Sequence, residues 1–210
     1  MQAVGKWGKT SCRMNGRNSK TLKIAAAIGA IIIAGFFLAR YRSSAGVALA
    51  FKDARAQGAA IADNIVNLSN QISVDLDKVS EYDKAGQTQE ALDLTTNLHF
   101  KVQDIKGQAS QLSDQLRNMI GALDSIRSPG AKQAAIESIT NRMALISRLF
   151  SYGEYLDQLS IVLTHRFIGA SDKSSVPVIV SQINAEVTAV GNFNKQAVQA
   201  MQRFDAITGN

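Results

Sequence analysis

The chain has 210 residues, of which 46% are hydrophobic and 19% are charged, and its formal net charge is +6. Residues 1–42 hold eight basic side chains and no acidic one, whereas residues 43–210 hold 15 basic and 17 acidic ones, a net charge of −2. Because most of the chain is mildly acidic, its high pI does not indicate a nucleic-acid-binding surface, and we expect no nucleic-acid partner.

The first segment, residues 1–23, combines Gly, Asn, Ser and six basic residues without apolar periodicity, which is typical of a disordered basic tail. Either Met1 or Met14 can be the true start. A transit peptide would share the basic, acid-free composition, but the tail has no amphipathic helical pattern. The only cysteine, Cys12, lies here and has no partner for an intrachain disulfide.

The next segment predicts a membrane anchor over residues 24–41. Sixteen uncharged residues, IAAAIGAIIIAGFFLA, stand between Lys23 and Arg40. Their eight large apolar residues contribute roughly −2.4 to −4.8 kcal/mol to insertion at −0.3 to −0.6 kcal/mol each. We predict that the bilayer is contacted by Ile24, Ile28, Ile31, Ile32, Ile33, Phe36, Phe37 and Leu38.

The anchor has two alternatives, a cleaved signal peptide and a buried helix of a soluble core. Ala48-Leu49-Ala50 resembles a signal-peptidase site, but it lies nine or more residues beyond the apolar run, and two arginines intervene. The excess of basic residues before the run favours a cytoplasmic amino terminus. Ala26, Ala30 and Ala34 share one helical face, and this small-xxx-small pattern is compatible with a homodimer through the anchor; because alanine is common in such spans, lipid-facing residues without a partner are the favoured alternative.

Residues 45–210 contain four stripes of apolar residues at alternating spacings of three and four, which predict four long helices. The predicted helices are 46–85, 88–127, 131–168 and 174–208. Their connections are too short to return the chain along such lengths, so we expect an all-α, up-down-up-down antiparallel bundle with coiled-coil-like packing.

Three breaks separate these helices. Gly86 suits the left-handed residue that ends a helix, and Thr88 is placed to cap the next one. Ser128-Pro129-Gly130 predicts a turn, and Asp172 or Ser174 can cap the last helix, with Pro177 in its first turn. The third stripe predicts a core face formed by Ile136, Ile139, Met143, Ile146, Phe150, Gly153, Leu156, Leu159, Leu163 and Phe167, and widened by Leu145, Leu149 and Tyr152.

No catalytic or metal-binding motif stands out in these helices. Pairing the second and third helices about Pro129 puts His99 opposite about residue 159, roughly 9 Å along the helix from His165, so the two histidines do not share a layer. We therefore expect no metal and no cofactor. Charged residues gather near the membrane-distal end, where Arg166 and Lys173, with His99 and His165 nearby, are the candidates for an anionic ligand.

In layout, residues 45–210 resemble the extracytoplasmic four-helix bundles of bacterial chemoreceptors, and the order of tail, anchor and long helices is similar to that of LemA-type membrane proteins. The resemblance is one of layout and carries no functional residue to this chain.

We expect a non-enzymatic, single-pass protein of the bacterial inner membrane whose bundle lies in the periplasm or outside the cell. It would act as a scaffold or accessory subunit through contacts with a protein partner in the envelope. Two alternatives stay open. One is a ligand-sensing bundle resembling a chemoreceptor sensor domain, and the other is a lipid- or envelope-associated bundle with an adaptable core that includes Met119, Met143 and Met201.

Overall fold

The computed structural model of the protein describes residues 49–169 and 176–209, which form four long α-helices. They are α1 (Leu49–Ala85), α2 (Thr88–Gly121), α3 (Pro129–Phe167) and α4 (Val176–Thr208), and a short 3-10 helix (Leu123–Ser125) lies between α2 and α3. No strand occurs among these residues, which confirms the predicted all-helical class with four helices.

The predicted tail and anchor, residues 1–23 and 24–41, lie outside the described residues, as do the candidate caps Asp172 and Ser174. Within 49–169 and 176–209, no helix combines the length and the apolar character that a membrane crossing requires. The anchor therefore stays a prediction from the sequence.

Consecutive helices pack against each other along the chain, as their short connections require. In contrast, few Cα atoms of α1 and α4 come within 8 Å of each other. These two helices meet through side chains at the end where α1 begins, and there the ring centroids of Phe51 and Phe204 are 5.3 Å apart. The contact between the first and last helices is thus the loosest of the bundle's neighbouring pairs.

The α1–α2 connection depends on Gly86, a residue that tolerates a positive φ. Gly86 has φ 74°, and α1 ends immediately before it, as predicted. The predicted capping role of Thr88 is wrong, because Thr88 is already the first helical residue and the N-cap position belongs to Gln87, whose side chain makes no capping hydrogen bond.

The α2–α3 connection is longer than predicted. α2 ends at Gly121 instead of about residue 127, since the following residues tighten into the 3-10 helix. Ser128 caps α3 with its Oγ, which accepts a hydrogen bond from the Ala131 amide at 3.4 Å, and Pro129 takes the first helical position. Gly130 lies inside α3, so the reversal precedes it.

Each helix buries one face, and the most deeply buried large side chains come from all four. They are Phe51, Ile65, Ile72, Val102, Ile105, Leu112, Leu116, Met119, Leu159, Met201 and Phe204. The α1, α2 and α4 members all lie on predicted stripes, as does Leu159 of α3. Met119 and Met201 are core residues, as predicted.

The predicted face of α3 is partly wrong, because Ile136, Met143 and Phe150 are exposed to 38–39%. The residue before each of them is buried, so Ala135 and Arg142 join the core beside Leu149, which was predicted to widen this face. A charged arginine in the buried row made the neighbouring all-apolar row look like the core face. The other predicted residues Ile139, Ile146, Gly153, Leu156 and Leu159 are buried, so the core side of α3 is displaced only in part, toward the row that contains Arg142.

Candidate functional site

A row of exposed apolar side chains lies on one side of α3. Ile136, Met143, Phe150 and Ile161 are 39%, 39%, 38% and 55% exposed. Their spacings of 7, 7 and 11 residues are sums of three- and four-residue helical steps, so all four lie on one side of α3. We call these four residues the α3 seam. Large apolar residues repeated in this way are typical of a helix that packs against a further helix.

The α3 seam runs beside the outer groove between α2 and α3. His99 Nδ1 of α2 lies 2.9 Å from Asp157 Oδ1 of α3, which indicates the antiparallel register, and Lys132 Nζ of α3 lies 2.6 Å from Asp124 Oδ1 of the 3-10 helix that follows α2. The same register places Ile120, an exposed residue of α2, opposite Ile136. The apolar surface therefore extends onto α2 near the α2–α3 connection.

An ion cluster divides the α3 seam between Phe150 and Ile161. Lys106 Nζ donates hydrogen bonds to Glu154 Oε1 and Asp157 Oδ2, each at 2.7 Å. Gln103 also donates to Asp157 Oδ2, at 3.1 Å. Burial disfavours the charged ammonium, but the hydrogen bonds and charges of the two carboxylates outweigh it and raise the pKa of Lys106 above its usual 10.5.

Gly153 gives the Lys106 side chain its path across α3. A Cβ at position 153 would lie 2.9 Å from Lys106 Cε and 3.2 Å from Cγ, closer than ordinary carbon contacts allow. At this glycine the structure therefore shows a close approach by the side chain of a neighbouring helix. The missing Cβ lets Lys106 reach both carboxylates.

The four candidate ligand residues do not form one site. His99 contacts Asp157, which is eight positions from His165, so the two histidines lie in different layers, as predicted. Arg166 Nη2 donates to Asp83 Oδ2 at 2.8 Å, and an anionic ligand would have to compete with that carboxylate. His165 is exposed, and Lys173 lies outside the described residues. Within the described part of the chain, no group of three His, Cys, Asp or Glu residues could hold a metal ion.

A second charged cluster lies inside the bundle, and sequence reasoning missed it. Arg55 of α1 makes a two-pronged ion pair with Asp205 of α4, with N–O distances of 2.7 and 2.9 Å. Arg142 of α3 is only 6% exposed, and burial, followed by the like charge of Arg55, lowers its pKa to about 10. The cluster joins three helices, and its sequence signal was a charged residue midway between Ala135 and Leu149.

A cavity of about 20 Å³ lies between all four helices and has room for about one water molecule. It is lined by Ala62, Ile65, Leu112, Leu145, Leu149, Val190 and Asn194. Asn194 is a buried polar residue in an otherwise apolar wall.

Comparisons with known proteins found no relative of this chain. No family model matches this chain, and neither a curated protein nor a solved structure matches it.

Proposed function

We propose that the protein is a non-enzymatic scaffold or accessory subunit that acts through protein contacts while held in the bacterial inner membrane by residues 24–41. The observation that carries the proposal is the α3 seam, which leaves four large apolar side chains exposed on one side of a folded helix. Several exposed apolar residues repeated along one side of a helix are typical of an interaction site, whereas single exposed apolar residues are ordinary.

The composition of the α3 seam favours a helical protein partner. Its residues follow the steps of a helix packing interface, and Thr140 and Ser147 supply small exposed positions between the large ones. From Ile136 to Phe150, on the near side of the ion cluster, the row is about 21 Å long at 1.5 Å per residue, which matches about four turns of a helix rather than a small ligand.

Topology and partner binding are tested separately. Protease added to intact spheroplasts should digest the bundle if it lies in the periplasm, and complete protection would reverse the proposed orientation. For partner binding, a photo-crosslinking amino acid replaces Met143 in the full-length protein in its native membrane. The matched control places it at Gln196, an exposed α4 residue away from the α3 seam.

We expect protein adducts from position 143 and few from position 196. The adduct can contain either a second copy or a different protein. Adducts with lipid alone, or equal adduct yields at both positions, would contradict a role that works through protein contacts at the α3 seam.

A further inference from the structure

We infer that the α3 seam is the contact between two parallel, side-by-side copies of this chain. The inference rests on the proposed membrane anchor, and it names the partner that the proposed function leaves open. It differs from a homodimer through Ala26, Ala30 and Ala34, because it places a contact in the bundle itself.

The orientation follows from where the chain enters the bundle. α1 begins at Leu49, on the side of the predicted anchor, and the antiparallel α2 ends at Gly121 at that same end. The α3 seam thus starts near the membrane, with Ile136 in the second turn of α3. Two copies anchored in one membrane stand parallel and at the same height, so each residue of the seam faces its own counterpart.

In parallel copies identical residues face each other, so any uncompensated charge on the α3 seam would repel its counterpart. The membrane-proximal end of the α3 seam carries little such charge. Lys132 there is paired with Asp124 of its own chain, whose carboxylate is fully solvent-exposed, and Lys132 lowers the pKa of Asp124 by a hydrogen bond and by its charge. Between Ile136 and Phe150 the exposed row has no charged member, since Thr140 and Ser147 are uncharged and small. This section of the seam is compatible with its own copy.

The ion cluster adds a repulsive element further from the membrane. Lys106 compensates one of the two carboxylates of Glu154 and Asp157, so each copy brings one excess negative charge when His99 is neutral. The Glu154 side chain is 64% exposed, and in parallel copies it faces its counterpart. Like charges facing each other weaken association, and here they limit close contact to the part nearer the membrane.

The size of the contact also explains why an anchor is needed. The close contact from Ile136 to Phe150 is about 21 Å long and about 10 Å wide, so it buries about 200 Å² per copy, or about 400 Å² in total. Stable soluble complexes bury about 1,200–2,000 Å². Restricting two copies to one membrane raises their effective concentration, so a contact of this size can form there.

Disulfide cross-linking of the full-length chain in native membranes tests the arrangement. Cys12→Ser removes the only cysteine, and single cysteines then replace Ile136, Met143 or Phe150, with Gln196→Cys as the control. We expect each of the three seam variants to give a homodimer within minutes of mild oxidation, at a yield at least five times that of the control. Equal yields would overturn the inference.

Two further results distinguish parallel from antiparallel copies. In an antiparallel pair centred on Met143, Ile136→Cys would link only to Phe150→Cys of a second protein, and that result would overturn the parallel arrangement. Glu154→Gln should raise the cross-linking yield of Met143→Cys about twofold, because it removes the facing carboxylates. A fall would overturn the inference, since antiparallel copies would instead lose a contact between Glu154 and Lys132.

The outcome also separates this inference from the proposed function. If the photoprobe at Met143 captures a different protein and the cysteine variants give no homodimer, self-association is wrong while the scaffold role stands. If the probe captures no protein at all, both are wrong. Circular dichroism of each purified variant confirms that the exposed substitutions leave the helices intact.

Discussion

Alanine at Gly153 is expected to behave in the opposite way to alanine at Gly107, although both glycines lie inside long helices. A Cβ at position 107 would have no neighbour within 4 Å, whereas one at position 153 would lie 2.9 Å from Lys106 Cε. Alanine in a helix interior is favoured over glycine by about 0.5–1 kcal/mol. Gly107→Ala should therefore raise the free energy of unfolding by about that amount.

At Gly153 the same gain is opposed by displacement of Lys106. The hydrogen bond to the well-buried Asp157 contributes about 1.5–2 kcal/mol as a charge-assisted bond. The bond to the exposed Glu154 adds about 0.5 kcal/mol, because solvent screens it. Losing both outweighs the gain in helix propensity, so Gly153→Ala should lower the free energy of unfolding by about 1 kcal/mol.

The assay is urea unfolding of the full-length protein, followed by circular dichroism at 222 nm. The two alanine variants should differ by about 2 kcal/mol, or about 4–8 °C in Tm for a bundle of this size. In a Lys106→Ala background Gly153→Ala should become stabilising, because the obstructing side chain is gone. If Gly153→Ala stabilises the wild-type background as much as Gly107→Ala does, the proposed course of Lys106 over α3 is refuted.

Three further predictions concern the interior and the pH dependence. Arg142→Met should leave the free energy of unfolding unchanged or raise it, because it removes a buried charge. Asp205→Asn should lower the free energy of unfolding by about 2 kcal/mol, since it leaves two arginines close together. If urea unfolding ranks the two variants in the reverse order, the buried Arg142 charge has no net cost. Ser138→Ala should lower the free energy of unfolding by about 1 kcal/mol in the same assay, because the buried Oγ donates to the Ala197 carbonyl of α4 at 2.9 Å. Alanine at the exposed Ser147 is the control and should change the free energy of unfolding little. The stability that Lys106 provides should be complete below pH 10.5 and be lost as pH rises through its raised folded-state pKa. The difference in urea midpoint between wild type and Lys106→Met should therefore shrink from pH 9 to pH 12. A constant difference would mean that the charge of Lys106 is not involved.

The order and type of the helices could be predicted because spacing alone determines them. Alternating steps of three and four residues gave the four helices, and Gly86 marked the end of the first because only a residue that accepts positive φ ends a helix in this way. The predicted pairing of α2 with α3 was also close, since His99 was expected opposite about residue 159 and contacts Asp157.

The exposed α3 seam could not be predicted, because its detection depends on which of two adjacent rows of α3 is buried. By composition alone the row with Ile136, Met143 and Phe150 is the better core, and the row with Arg142 is the worse one. The structure buries Arg142 next to the ion pair of Arg55 and Asp205, and those partners come from α1 and α4. Sequence spacing within α3 has no information about charges on other helices.

The loose pairing of α1 with α4 determines how a pulling force would pass through the molecule. The chain leaves the bundle for the predicted anchor at Leu49, only two residues before Phe51, whose ring packs on Phe204 at the opposite terminus of the bundle. One turn further along, the ion pair of Arg55 and Asp205 fastens the same two helices. A pulling force applied at the start of α1 would therefore load these two contacts together with the packing of α1 on α2, and the loosest pair of neighbouring helices is fastened at the end where such a force would arrive.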